Sequence, residues 1–172
     1  MATPKALAGG FKIIKLTKNK TVVVDGEDFD FLNQWKWHAG KNGSYAARGE
    51  WQKGKNKNKI IYMHRLIMKV EGKTQVDHKN GNGLDNRKEN LRLCTNKENQ
   101  RNHKLLVTNK SGFNGVSWNS KVKKWETCIS VDNKTVHLGF YRNKIKSATI
   151  YNAAATKYFG EFARLNNIGG TL

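Results

Sequence analysis

The stretch Val76–His103, VDHKNGNGLDNRKENLRLCTNKENQRNH, decides how the rest of the chain is read. A short apolar run, Thr74 to His78, ends in an Asp-His pair, Asp77-His78. A turn-rich loop follows with Asn90 at its far end, then a second short run, Leu91 to Thr95, and then a polar helix. Thr95 and Glu98 form a Thr-x-x-Glu capping box, which predicts a helix starting near Asn96. Asn99 and His103 are four residues apart and project from one helical face. A hairpin packed on that helix would gather Asp77, His78, Asn90, Asn99 and His103 into one polar pocket.

Charge sets the class of partner. The 172 residues carry 32 Lys and Arg against 13 Asp and Glu, a formal net charge of +19. Such an excess points to a polyanion. It is not confined to a tail: residues 1–106 hold 22 basic against 10 acidic residues, and residues 107–172 hold 10 against 3. Both halves are therefore expected to touch the polyanion.

The two cysteines, Cys94 and Cys128, stand far apart with no Cys-x-x-Cys pair, which argues against a structural zinc site and a disulfide framework. Both read as small half-buried strand residues. No apolar run approaches the roughly 20 residues of a membrane span, and MATPKALAGG is too short in its apolar part for a signal peptide. The expected compartment is the cytoplasm of whatever cell hosts the gene.

Upstream, Phe11–Leu16 and Thr21–Val24 are β-prone runs around Lys18-Asn19-Lys20 and predict a hairpin. In GEDFDFLNQWKW, Asp28 is expected to cap a short helix from Phe29 to about Gln34, with the other carboxylates favouring its positive end rather than a metal. Trp37, Tyr45 and Trp51 sit in β-like segments and read as core more than as base-stacking platforms. The loop Lys53–Lys59 carries four lysines and offers phosphate contacts. Ile60–Met68 holds His64-Arg65 in an apolar frame: Arg65 is expected at a phosphate, and His64 is open between a functional and a satisfied, partly buried histidine.

Residues 107–110, VTNK, read as a linker. Beyond it, strands are predicted near Gly115–Asn119, Trp125–Val131 and Lys134–Phe140, with Asp132-Asn133 as a tight turn, and then a helix over Lys146–Phe159. Alternation puts Trp125, Thr127, Ile129 and Val131 on a core-like face. Glu126, Cys128 and Ser130 fall on the other, with Ser117, Asn119, Thr135 and His137.

The central stretch resembles the HNH nuclease family, and most of all the phage and intron-encoded HNH homing endonucleases, through Val76, Asp77, His78, Gly81, Asn82, Asp85, Asn86, Arg87, Asn90, Leu91 and Arg92. The resemblance implies a ββα-metal unit at about 74–106 inside a β-rich nuclease domain, residues 1–106. It implies His78 as general base, Asn90 holding the His78 ring or bracing the loop, and Asp77 and Asn99 as ligands of a divalent ion. Oxygen donors suit magnesium, or manganese, rather than zinc; His103 occupies the place of a third ligand in some relatives. Residues 111–168 resemble the plant APETALA / ethylene-response-factor DNA-binding domain through Gly115-Val116, Lys124-Trp125, Ile129, His137-Leu138-Gly139, Tyr151, Ala154-Ala155 and Leu165-Asn166. That implies a three-stranded sheet in the major groove, backed by the helix.

The expectation is thus an α+β chain acting as a metal-dependent endonuclease on double-stranded DNA, as monomer or homodimer. Its DNA contacts would be Arg65, Lys79, Arg87, Arg92 and Arg101 in the first part. In the second they would be Lys121, Lys123, Lys124, Glu126, Ser130, Thr135 and His137. The alternatives are a sequence-specific DNA-binding protein with an inactive nuclease core, or an RNA-binding factor.

Overall fold

The computed structural model describes residues 10–40, 42–102 and 109–169, and the chain divides into two compact units, 1–99 and 100–172. The fold is mixed α+β, with small antiparallel sheets and short helices.

In the first unit, β1 (Phe11–Lys15) and β2 (Thr21–Asp25) form the expected hairpin. Its turn places Lys18 and Asn19 at positive φ, 59° and 53°, the twist that matches two antiparallel strands. Helix α1 spans Gly26–Leu32, earlier than predicted, and Asp25 rather than Asp28 precedes it, with no side-chain cap. Asp28 sits in the first turn and pairs with Lys88 Nζ at 3.2 Å, as Glu27 does at 2.6 Å. The helix starts early because the backbone leaves β2 directly into it, so the acidic residues lie inside its first turn and favour the positive end.

Strands β3 (His38–Ala39), β4 (Ala46–Gln52) and β5 (Lys57–Tyr62) form one sheet, and α2 (Met63–Ile67) follows without a break. Of the three aromatic residues read as core, only Trp37 is buried, its Nε1 donating to Leu32 O at 2.8 Å. Tyr45 and Trp51 are exposed. Alternation along β4 cannot distinguish a face that meets core from one that meets solvent when the sheet has only three strands. The Lys53–Lys59 segment is a 3-10 turn at Lys53–Lys55 followed by the start of β5. The core joins Ile14, Val22, Val24, Phe29, Leu32, Trp37, Met63, Ile67, Val76 and Leu91. It therefore ties the first hairpin to β6 (Gln75–His78) and β7 (Leu91–Cys94), which pair antiparallel. Helix α3 (Asn96–Arg101) follows. Its capping box is formed as predicted: Glu98 Oε2 accepts from Thr95 N at 2.8 Å, and Thr95 Oγ1 accepts from Glu98 N at 3.3 Å.

In the second unit, β8 (Val116–Asn119), β9 (Lys124–Val131) and β10 (Lys134–Tyr141) form an antiparallel sheet in the order β10-β9-β8. Asp132 and Asn133, at φ 52° and 63°, make the turn. Helix α4 (Lys144–Phe159) begins two residues before the prediction because Asn143 caps it, its side chain accepting from Lys146 N at 3.0 Å. The helix covers one face of the sheet, where Ile129, Ala155 and Phe159 are buried with Tyr151 against them. Gly115, at φ +67°, lies so close to the Tyr151 ring and Cys128 O that a side chain there would collide with both. Part of the expected linker, 107–108, lies outside the described residues; Asn109 belongs to this unit, its Oδ1 accepting from Ser111 N at 2.9 Å and Gly112 N at 3.0 Å.

Candidate active site

The β6–β7 hairpin is closed by a loop built almost wholly from side-chain amides. Asn90 Oδ1 accepts from Asn80 N at 3.0 Å, while its Nδ2 donates to Asn80 Oδ1 at 3.1 Å and Asp85 O at 2.7 Å. Asn80 Nδ2 in turn donates to Asp85 Oδ2 at 2.9 Å. Gly81, at φ 68°, returns its N–H to His78 O at 2.7 Å. The far side of the loop docks on β2, with Val23 N to Leu84 O at 2.9 Å and Asn86 N to Val23 O at 2.8 Å. Gly83 passes so close to Ser44 O and the Tyr45 ring that only a residue without a side chain fits.

His78 lies at the end of β6, buried, and its Nε2 is 2.7 Å from Asn86 Oδ1. Of the two roles open to Asn90, bracing the loop is the one its hydrogen bonds serve; Asn86 is the residue that meets His78. With the amide oxygen as acceptor, the proton sits on Nε2 and the lone pair on Nδ1. Burial pushes the His78 pKa below its usual value, against the raising effect of Asn86, Asp77 and Asp85. Desolvation wins, so the ring is neutral at pH 7.

Asp77 pairs across the hairpin with Arg92. Arg92 places Nη2 at 2.6 Å and Nε at 2.9 Å from Asp77 Oδ2, and both side chains are largely buried. Asn99 on α3 donates Nδ2 to Gln75 Oε1 at 2.7 Å. Gln75 and Asp77 are two residues apart on β6 and share a face, so Asn99 hangs over the face that carries Asp77. A carboxylate and an amide oxygen on one face fit a hard divalent cation. His103 lies outside the described residues.

Arg65, Lys79, Arg87, Arg92 and Arg101, expected on DNA, are engaged within the fold. Arg65 donates to Thr74 O and to Gly72 O (3.0 Å). Arg87 donates to both oxygens of Asp85 at 2.6 and 2.7 Å, pairs with Glu89 at 2.6 Å and lies over the Phe11 ring. Asp85 is held below the usual carboxylate range chiefly by that Arg87 hydrogen bond. Lys79 Nζ donates to Glu89 O at 2.9 Å. In the second unit, Arg101 lies 3.8 Å from Asp132 and over Phe159. Lys121 and Lys123 are exposed and Lys124 half-buried. Glu126, Ser130, Thr135 and His137 share the sheet face away from α4, with Thr135 opposite Ser130 and His137 opposite Cys128.

The sequence marks Asn86 as a motif position without a role and leaves both readings of His64 open. Asn86 is fully buried, which nothing in a turn-like DNR triplet announces. The His64 ring meets the His78 ring edge-on at 5.1 Å between centroids, with Tyr45 at 5.2 Å and Tyr62 at 5.7 Å. Desolvation, then the His78 and Arg65 charges, push the His64 pKa down to about 3. Unfolded, this ring titrates near 6.5, so between pH 6.5 and 3 the unfolded chain binds the proton that the folded chain refuses. Stability from this group is complete above about pH 6.5 and is lost as pH falls toward 3. At about 1.4 kcal/mol per unit, the loss is on the order of a few kcal/mol. The urea midpoint should therefore fall between pH 6.5 and 4.5, above the carboxylate range, and His64→Leu should make that fall shallower. An unchanged slope in His64→Leu would contradict the burial of a neutral His64.

Residues 62–101 match the HNH endonuclease family. The chain is 28% identical over 159 residues to an uncharacterized HNH endonuclease of Acanthamoeba polyphaga mimivirus, covering 92% of this chain and 81% of that protein. It is 32% identical over 89 residues to Protein 3.8 of Escherichia phage T7, covering 52% of this chain and 73% of that one. No solved structure gives a significant match. With Asp77, His78, Asn86, Asn90 and Asn99 all inside the matched segment, the chain belongs to the HNH endonuclease family.

Proposed function

We propose that this protein is a divalent-metal-dependent DNA endonuclease of the homing or nicking type. The observation that carries the reading is a buried His78 whose Nε2 meets Asn86 Oδ1 at 2.7 Å, next in sequence to Asp77 on a rigid hairpin. His78 accepts the proton of the attacking water at Nδ1, a role that needs a neutral imidazole of fixed orientation. Asn86 holds the ring, Asn90 holds the loop that carries Asn86, and Arg92 fixes the carboxylate of Asp77. Asp77 and Asn99 would hold the ion through oxygen, with magnesium or manganese the best matched. When bound, the ion supplies positive charge for the phosphorane and for the departing 3′ oxygen.

The C-terminal residues 111–168 are the DNA reader in this proposal, an APETALA / ethylene-response-factor-like module whose open sheet face enters the major groove. Residues 1–106 form the nuclease module in this proposal. One chain carries one such site and nicks; a double-strand break needs two copies or two binding events.

Supercoiled plasmid with magnesium tests the reading: relaxed circles should accumulate, and EDTA should stop them. Binding without any nicking would favour a DNA-binding protein with an inactive core. For the reader, Ser130→Ala with Thr135→Ala in the full chain should relax site discrimination about 5- to 150-fold at each base pair contacted, since good base contacts contribute about 1–3 kcal/mol each. The salt dependence of binding should barely change, because phosphate contacts carry it. Unaltered cleavage maps for that variant would remove the sheet from the role.

A further inference from the structure

The open face of the C-terminal sheet also gathers three metal-ligating side chains from two strands. Glu126 and Cys128 are two apart on β9 and leave the same face; His137 on β10 is the residue directly opposite Cys128. Glu126 Oε1 is 3.4 Å from His137 Nε2 and 4.0 Å from Cys128 Sγ, and all three ligand atoms lie within 4.8 Å of one another. A tetrahedral zinc with Zn–N of about 2.0–2.1 Å and Zn–S of about 2.3 Å spaces its ligands about 3.3–3.8 Å apart. Glu126 and His137 already meet that spacing at 3.4 Å, Cys128 stands slightly outside it from Glu126 at 4.0 Å, and a turn of the Cys128 and His137 side chains within their 4.8 Å limit completes it.

Two of the three ligands are also oriented from behind. Asn119 Nδ2 donates to Glu126 Oε2 at 3.1 Å, which turns Oε1 toward the cysteine and histidine. The His137 ring rests on Phe140, 4.7 Å between centroids, beside the bulge between His137 and Gly139. Such outer contacts fix the direction of a ligand in metal sites. The strands themselves hold the donors at a preset separation, so little ordering remains to oppose binding.

We propose that Glu126, Cys128 and His137 form a site for a borderline transition-metal ion, zinc foremost, with water in the fourth position. A thiolate, an imidazole and a carboxylate select such an ion over magnesium. The Asp77 and Asn99 oxygens have the opposite preference, so the two sites sort two ions by hardness. Binding replaces the Cys128 S–H bond by S–metal and releases that proton to solvent. Ion binding stands whether or not this face reads DNA.

Cobalt(II) titration of the reduced, metal-free full chain tests the site directly. A thiolate-to-cobalt charge-transfer band should rise to one equivalent, be displaced by zinc and be untouched by excess magnesium. Cys128→Ser should abolish the band and Cys94→Ser should keep it. His137→Asn should weaken cobalt binding by more than the 10- to 100-fold typical of an outer contact. Far-UV circular dichroism of the metal-free variants checks the fold, and His137→Asn decides the matter should Cys128→Ser be misfolded. No thiolate band in the wild-type chain, a band that survives Cys128→Ser, or one that vanishes with Cys94→Ser would overturn the proposal.

Discussion

His78→Ala should abolish nicking while DNA binding persists. The proposed general base contributes about 10²–10⁴-fold to the rate, and its removal leaves Asp77 and Asn99 in place. Binding affinity comes mostly from phosphate contacts elsewhere on a chain of net charge +19, so the dissociation constant should stay within a few-fold. The substitution also strips Asn86 Oδ1 of its partner in a buried setting, which costs roughly 1–3 kcal/mol of stability. Cleavage and binding are therefore best compared at 25 °C, with a urea melt beside them. A variant that nicks at near wild-type rate with magnesium would show that another group takes the proton. The acid limb should also mark the base: burial lowers the His78 pKa, so it loses its proton below the usual 6.5. Activity should then hold as pH falls to 6.5 and decline only below it.

Asp77 should give the second large effect, of a different kind. Asp77→Ala removes a metal-binding oxygen and also takes away the carboxylate that Arg92 meets in a largely buried setting. Breaking a buried pair from one side costs about 3–5 kcal/mol, a large share of the roughly 5–15 kcal/mol that keeps an ordinary domain folded. Asp77→Asn keeps an oxygen and the shape but removes the charge that balances Arg92. The expected order in urea melts is wild type, Asp77→Asn, Asp77→Ala, with magnesium-dependent nicking lost in both variants. The double variant Asp77→Ala/Arg92→Met should recover much of the stability and none of the activity, because an apolar replacement of both partners no longer strands a charge. Recovery of nicking in the double variant would remove Asp77 from the metal site. A double variant no more stable than Asp77→Ala would place the damage outside the pair.

The sequence by itself determined the α+β class, the two hairpins that frame the first unit's core, the capping box at Thr95–Glu98, and the sheet-then-helix order of the C-terminal unit. Those features are local. Turn residues, apolar alternation and a cap written over four positions act between neighbours in the chain, so they can be read without knowing what lies across from them. Local spacing also named Asp77, His78, Asn90 and Asn99 as residues to examine.

What those residues touch was decided only in three dimensions. Asn86 rather than Asn90 meets His78 because the loop docks on β2, a contact between segments some sixty residues apart in sequence. Arg92 faces Asp77 because the hairpin register sets them opposite. Arg87, with the look of a phosphate ligand in sequence, is bound to Asp85 in the folded chain. His64, one of a pair of residues in an apolar run, becomes neighbour to His78 through the path of α2. The absence of a Cys-x-x-Cys pair spoke against zinc, because spacing along the chain registers only ligands from one segment. Cys128 and His137 are nine positions apart and yet directly opposite on adjacent strands. Strand pairing creates neighbours by register, and register follows from turns and packing at both ends of a sheet rather than from the residues that it brings together.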